Sequence, residues 1–172
     1  MNDKNARGII MFKIIEIQDI ELKSNITDCI LRKLPEWFDI EEAIVEYVEG
    51  VKDTKFYVAY DLEKPIGFIS IKHNNEYTSE IYVIGVLKEY QGKHIGKSLV
   101  EVANNTLADI GTKFLQVKTL GPSNSNKYYA DTRKFYEGVG FYPLEEIKEL
   151  WDEINICLIM IKNIKLKNSH KI

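Results

Sequence analysis

Two short stretches carry the residue types and spacings that could do chemistry. The first is YQGKHIGKSLV, residues 90 to 100, which sets two glycines and two lysines where a strand gives way to a helix. A helix start leaves backbone N–H groups unpaired and carries about half a positive charge, so it can hold a pyrophosphate without a metal. Gly92 and Gly96 let backbone approach phosphate oxygens where a Cβ would intrude, and Lys93 and Lys97 add charge at the rim. The second stretch is TRKFYEGVGFYPLEE, residues 132 to 146, with an FYE-x-x-GF pattern running from a late helix into the next strand.

The first stretch is one residue short of the P-loop G-x-x-x-x-G-K-[ST], because Gln91 stands where its first glycine belongs. Lys97 and Ser98 would fit such a loop, but the wrap of N–H groups would lose its opening glycine. A helical segment and a hairpin also precede it, and KFLQVKTL, residues 113 to 120, ends without an Asp to hold magnesium. A nucleotide-dependent phosphotransferase is therefore a poor reading. The dinucleotide fingerprint G-x-G-x-x-G fails too, since Gly92 and Gly96 are separated by three residues and no third glycine follows in place.

The elements that must position these residues can be read along the chain. MFKIIEI (11 to 17) is a strand, and ELKSNITDCILRKL is a helix whose face is Leu22, Ile26, Ile30 and Leu34, broken by Pro35. EEAIVEYVEGV is a second short helix. KFYVAYD and PIGFISIKH form an antiparallel hairpin, and EIYVIGVL (80 to 87) is the strand that leads into the loop. The helix after the loop carries a face of Ile95, Leu99, Val102, Ala103, Thr106, Leu107 and Ile110. KFLQVKTL is a strand, YYADTRKFYEGV a helix, and FYPLEEI and INICLIMIK the last strands. The order β-α-α-β-β-β-α-β-α-β-β implies antiparallel pairing early and one parallel crossover around the loop. The fold class is α/β (mixed α+β), in one domain over residues 11 to 164 with flexible ends at 1 to 10 and 165 to 172.

The 172 residues suffice for one core, with 45% hydrophobic and 28% charged residues. A net charge of −3 argues against a dedicated nucleic-acid binder, and the basic tail KNIKLKNSHK reads as a solvated end. Cys29 and Cys157 form no CxxC pair and the three histidines do not cluster, so no metal is expected. The start lacks a signal-peptide pattern and no apolar run is long enough for a membrane span, so the expected location is cytoplasmic.

QGKHIG on the crossover, followed by FYEGVGF on the last helix and strand, strongly resembles the GNAT N-acetyltransferase superfamily, and the element order matches that fold throughout. The resemblance implies a mixed, mostly antiparallel twisted sheet of six or seven strands with a splayed parallel pair, flanked by four helices. It implies acetyl transfer from acetyl-CoA to a primary amine, by direct attack in a ternary complex and with no metal. By the same analogy Ile84, Gly85 and Val86 offer backbone groups to the pantetheine arm, with Gly85 either at a bulge or making room for packing. Gln91, Gly92, Lys93, His94, Ile95, Gly96 and Lys97 hold the pyrophosphate.

Tyr136 matches the tyrosine that protonates the departing thiolate, with an aromatic packing role as the alternative. Glu80 is either the general base or an exposed strand-end glutamate. Tyr82 and Ile84 share its strand parity, which sets Tyr82 near the acceptor if no bulge intervenes. Tyr129 stands where many relatives have an asparagine that contacts the cofactor. Trp37 and Phe38 would shape the acceptor pocket. His94 replaces the usual glycine, in ordinary helical conformation with its ring outward, or else beside a phosphate. The acceptor is a small-molecule or protein amine, with acidity favouring a cationic one; neither nucleic acid nor membrane is a partner, and a homodimer is open. The competing reading is an acetyl-CoA-binding module with little catalysis.

Overall fold

The computed structural model describes residues 11 to 165. Except for Lys165, the ends expected to be flexible lie outside the described residues. The strands and helices follow the order read from the sequence: β1 (Lys13–Glu16), α1 (Ile20–Leu31), α2 (Glu41–Gly50), β2 (Lys55–Asp61), β3 (Lys64–His73), β4 (Thr78–Val86), α3 (Ile95–Asp109), β5 (Phe114–Leu120), α4 (Lys127–Gly138), β6 (Tyr142–Ile147) and β7 (Cys157–Asn163). They build one seven-stranded sheet, β1-β2-β3-β4-β5-β7-β6, in which only β4 and β5 run parallel. Stretches such as FYVA in β2 and IGFISI in β3 are buried without a break because helices cover both faces of the sheet, and the one polar residue among them, Ser70, donates to the Thr54 hydroxyl. One core, with Ile95, Leu99, Ala103 and Leu107, lies under α3 and includes Tyr136 and Phe141. The other, with Ile26, Ile30, Phe56 and Phe68, lies under α1 and α2. No helix among the described residues is long and apolar enough to cross a membrane.

Two helix faces differ from the periodicity reading. In α1, Leu22 is 39% exposed while Lys23 and Thr27 are buried. The Lys23 stem packs inward and its ammonium donates to the carbonyls of Thr54, at 2.7 Å, and Lys52, at 3.2 Å. A long side chain whose charged end finds carbonyls can take a core position, and here Lys23, Ser24, Thr27 and Leu31 widen the buried face around Ile26 and Ile30 while Leu22 drops out of it. In α3, Val100 and Ala108 are buried and Ile110 is 57% exposed, because the helix has ended at Asp109. Pro35 is not the breaker of α1 either. The helix stops at Leu31, and the next residues fold back as tight turns in which Trp37 and Phe38 donate to the Leu34 carbonyl.

The bulge in β4 sits at Tyr82, not at Gly85. Ser70 of β3 pairs with Val83 and Ile71 with Ile81, so Tyr82 is the extra residue, whereas Gly85 pairs regularly with Phe68. Gly85 is there for packing: a Cβ would come within 3.1 Å of Ile30 and 3.3 Å of Phe68. The bulge also breaks the expected parity. Tyr82 belongs with the α1/α2 core and Ile84 with the α3/α4 core, so they face opposite sides of the sheet.

Candidate active site

β4 and β5 pair only from Thr78 to Ile81 against Phe114 to Val117. Beyond that point the two strands no longer pair with each other, although β4 stays paired to β3 as far as Val86 and β5 to β7 as far as Leu120, and this leaves an opening in the sheet. A cleft of 1120 Å³ runs through it. Of the residues singled out in the sequence, Tyr136, Glu80, Ile84, Gly85, Val86, Gln91, Gly92, His94, Ile95, Gly96, Lys97, Tyr129, Trp37, Phe38 and Tyr82 line this cleft. Lys93 does not: it is exposed, and its ammonium donates to the Glu89 carbonyl at 2.7 Å.

At one end lies the glycine loop. Gln91 is extended, and its amide nitrogen donates to the Val86 carbonyl at 3.0 Å, closing the free end of β4. Gly92 has φ +72° with open space where a Cβ would stand. His94, the N-cap of α3, has φ +64° and makes no side-chain cap. This corrects the expectation that His94 holds ordinary helical angles: the chain must turn left-handed here to start α3. Left-handed residues next to helical ones point successive N–H groups into one concavity suited to an anion. Gly96 serves packing, since a Cβ would meet the Phe135 ring of α4 at 3.1 Å.

The strain at His94 yields a prediction. A non-glycine residue in this conformation costs about 1–2 kcal/mol, while glycine adds about 0.5–1 kcal/mol of unfolded-chain entropy. His94→Gly should therefore raise stability by up to about 1 kcal/mol, read from the denaturant midpoint. A lower midpoint would mean that the imidazole contributes contacts of its own.

Tyr136 is held by the end of α4. The Phe141 N–H donates to the Tyr136 carbonyl and the Gly140 N–H to that of Glu137, with Gly140 at φ +94°. This is a Schellman end, and the Phe141 ring packs edge-on against Tyr136, centroids 5.5 Å apart. The FYE-x-x-GF pattern thus has a structural cause: glycine makes the left-handed turn and phenylalanine locks the tyrosine. Tyr136 is only 4% exposed, and among the described residues its hydroxyl has no hydrogen-bond partner. Burial, assisted by Tyr47 and Tyr129, pushes its phenol well above the ordinary value.

On the opposite face of the sheet stands Glu80. It is buried rather than an exposed strand end. The Gln116 amide donates to its carboxylate at 2.6 Å and the Lys118 ammonium bridges both oxygens at 3.1 and 3.2 Å. Both partners come from β5 and are invisible to a reading along the chain, because the parallel register that aligns Glu80 with Gln116 is a tertiary fact. Phe38, Tyr47 and Tyr82 form an edge-to-face series beside them, at 5.8 and 5.3 Å. The Tyr82 hydroxyl donates to the Glu46 carbonyl, and Gly50 leaves the room its ring needs.

A strap closes the cleft from above. The Trp37 indole donates to the Thr132 hydroxyl at 3.0 Å, and the Tyr129 hydroxyl to the Trp37 carbonyl at 2.8 Å. Lys88 and Glu36 add an ion pair. Tyr129 is thus committed to joining α4 to the segment after α1.

The buried phenols give a second prediction. Burial first, then the neighbouring tyrosines and carboxylates, pushes Tyr47 up to about 12. Both Tyr47 and Tyr136 have folded values above the unfolded one near 10. Their stabilising effect is complete below that value and is lost as pH rises, because the unfolded chain releases protons that the folded one keeps. Stability should fall by about 1.4 kcal/mol per pH unit for each such group above about pH 10. Denaturant midpoints measured across that range should decline less steeply in Tyr47→Phe.

Among the described residues no group of three or more His, Cys, Asp or Glu side chains could hold a metal ion. A comparison with curated proteins finds no match. Solved structures share the fold. A GNAT-family acetyltransferase from Desulfovibrio desulfuricans superposes with a TM-score of 0.77 at 17% identity, covering 90% of this chain and 100% of that one. An IAA acetyltransferase from Bacillus cereus gives 0.65 at 24% identity, over 89% and 99%. An aminoglycoside 6'-N-acetyltransferase complexed with coenzyme A gives 0.71 at 18% identity, over 90% and 98%. The sequence from residue 52 to 143, which spans the hairpin, the loop, α3, β5 and the Tyr136 helix end, matches the acetyltransferase (GNAT) domain. With that match laid over an opened parallel pair, a left-handed glycine loop and a locked tyrosine, the chain belongs to the GNAT acetyltransferase family.

Proposed function

We propose that the protein moves an acetyl group from acetyl-CoA to a primary amine by direct attack in a ternary complex. One observation carries the reading: a single cleft joins the uncapped start of α3, the open edges of β4 and β5, the Tyr136 hydroxyl and the Glu80 carboxylate. The residues fit the donor. The N–H groups of Ile95, Gly96 and Lys97, without partners among the described residues, suit a pyrophosphate. The edge from Ile84 to Val86 that β5 leaves free suits an amide-bearing arm, with only the Val86 carbonyl already engaged, by Gln91. The likeness to a structure that holds coenzyme A supports the same choice. When bound, acetyl-CoA supplies the activated acyl group.

Each further step belongs to the chain. Glu80 takes the amine's proton, directly or through a water, and Lys118 and Gln116 hold its carboxylate still. The amine nitrogen forms the new carbon–nitrogen bond. Tyr136 donates to the sulfur as the carbon–sulfur bond breaks. Because burial raises its phenol, Tyr136 stays protonated and is a ready hydrogen-bond donor at neutral pH. The aromatic series of Phe38, Tyr47 and Tyr82 beside Glu46 and Glu80 suits a cationic amine with apolar surface. A panel of polyamines, aminoglycosides and peptide amines, with CoA release as readout, tests the reading. Turnover of at least one amine supports it. Acetyl-CoA binding without turnover across the panel would leave the binding module, and no binding would remove both.

A further inference from the structure

Four side-chain atoms among the described residues are buried without a hydrogen-bond partner: Glu36 Oε2, Asn104 Oδ1, Thr112 Oγ1 and Thr119 Oγ1. Asn104 and Thr112 lie away from the cleft, and Glu36 already engages Lys88 through its other oxygen. Thr119 differs from all three. It is 4% exposed, it lines the cleft, and its hydroxyl has no hydrogen-bond partner among the described residues. An unmade hydrogen bond of this kind is costly, so a buried orphan hydroxyl in a cleft marks a place where a ligand supplies the partner.

Its position says which part of the ligand. Leu115 and Val117 point into the core under α3 and α4, and strand alternation puts Thr119 on that same face. Pairing between β4 and β5 stops at Ile81 and Val117, so Thr119 stands two residues into the opening, across from Val83 and Ile84. Tyr136 lies under the same face. We infer that Thr119 is a further acyl-donor-binding residue, whose hydroxyl donates to an acceptor atom at the thioester end of the donor, the carbonyl oxygen or the sulfur.

The inference rests on the acetyl-CoA reading, and the test separates the two. Thr119→Val keeps shape and removes the hydroxyl; Thr119→Ser keeps the hydroxyl. In the full chain, Thr119→Val is expected to bind acetyl-CoA about 3- to 10-fold more weakly, with a melting temperature equal to or above that of the parent. Thr119→Ser is expected to bind close to the parent. Adenosine 3',5'-bisphosphate, which lacks the arm, should bind parent and valine variant alike. Unchanged acetyl-CoA affinity in Thr119→Val, or equal weakening for both probes, would overturn the assignment. So would a lower melting temperature with unchanged affinity, which marks a structural hydroxyl. If the parent itself does not bind acetyl-CoA, the functional reading fails first.

Discussion

Tyr136→Phe is expected to lower kcat by roughly 10²- to 10⁴-fold, the range for losing a positioned proton donor, with KM for acetyl-CoA little changed. The substitution is unusually clean. The phenol oxygen has no hydrogen-bond partner among the described residues, so its removal leaves none unsatisfied. The ring contacts with Phe135 and Phe141, which hold the end of α4, survive intact. Folding stability should therefore stay level or rise while turnover falls. A structural role for the hydroxyl predicts the reverse, with stability lost and turnover kept. Turnover within about twofold of the parent would remove Tyr136 from the mechanism.

The second large effect concerns the charge pair under the acceptor end. Lys118→Met should destabilise the fold by about 1–3 kcal/mol, below the full cost of breaking a buried pair because the lysine keeps some exposure. The cause is not the lost attraction alone. Glu80 has only 10% side-chain exposure, and without Lys118 its charge would be left with two neutral amide donors, Gln116 at 2.6 Å and Asn74 at 3.5 Å. The double variant Lys118→Met with Glu80→Gln removes both charges and should recover much of the stability, as a denaturant-midpoint cycle would read directly. Activity separates the roles further. Lys118→Arg keeps a cation there and should retain activity, whereas Glu80→Gln should lose it even though its fold is sound. An additive cycle would mean that the two side chains do not interact.

The amino-acid sequence by itself determined the order and type of the strands and helices, the family motifs and most of the residues that meet in the cleft. The reason is that these features are local. Strand and helix periodicity, the glycine at a left-handed turn and the FYE-x-x-GF helix end are written in consecutive residues. What only the tertiary structure decided is relative placement across the sheet. The bulge at Tyr82 turns it and Ile84 to opposite faces, and no period along β4 reveals it, because a bulge is defined by its partner strand. The left-handed turn at His94 uses a residue type that most often avoids that conformation, and it is the fold that places it there at the start of α3. Glu80 acquires Gln116 and Lys118 only through a parallel register set by the α3 crossover. Thr119 is the sharpest case. In the sequence it is one ordinary strand threonine, and only the fold sets it beyond the last β4–β5 pair with its hydroxyl buried and, among the described residues, without a partner.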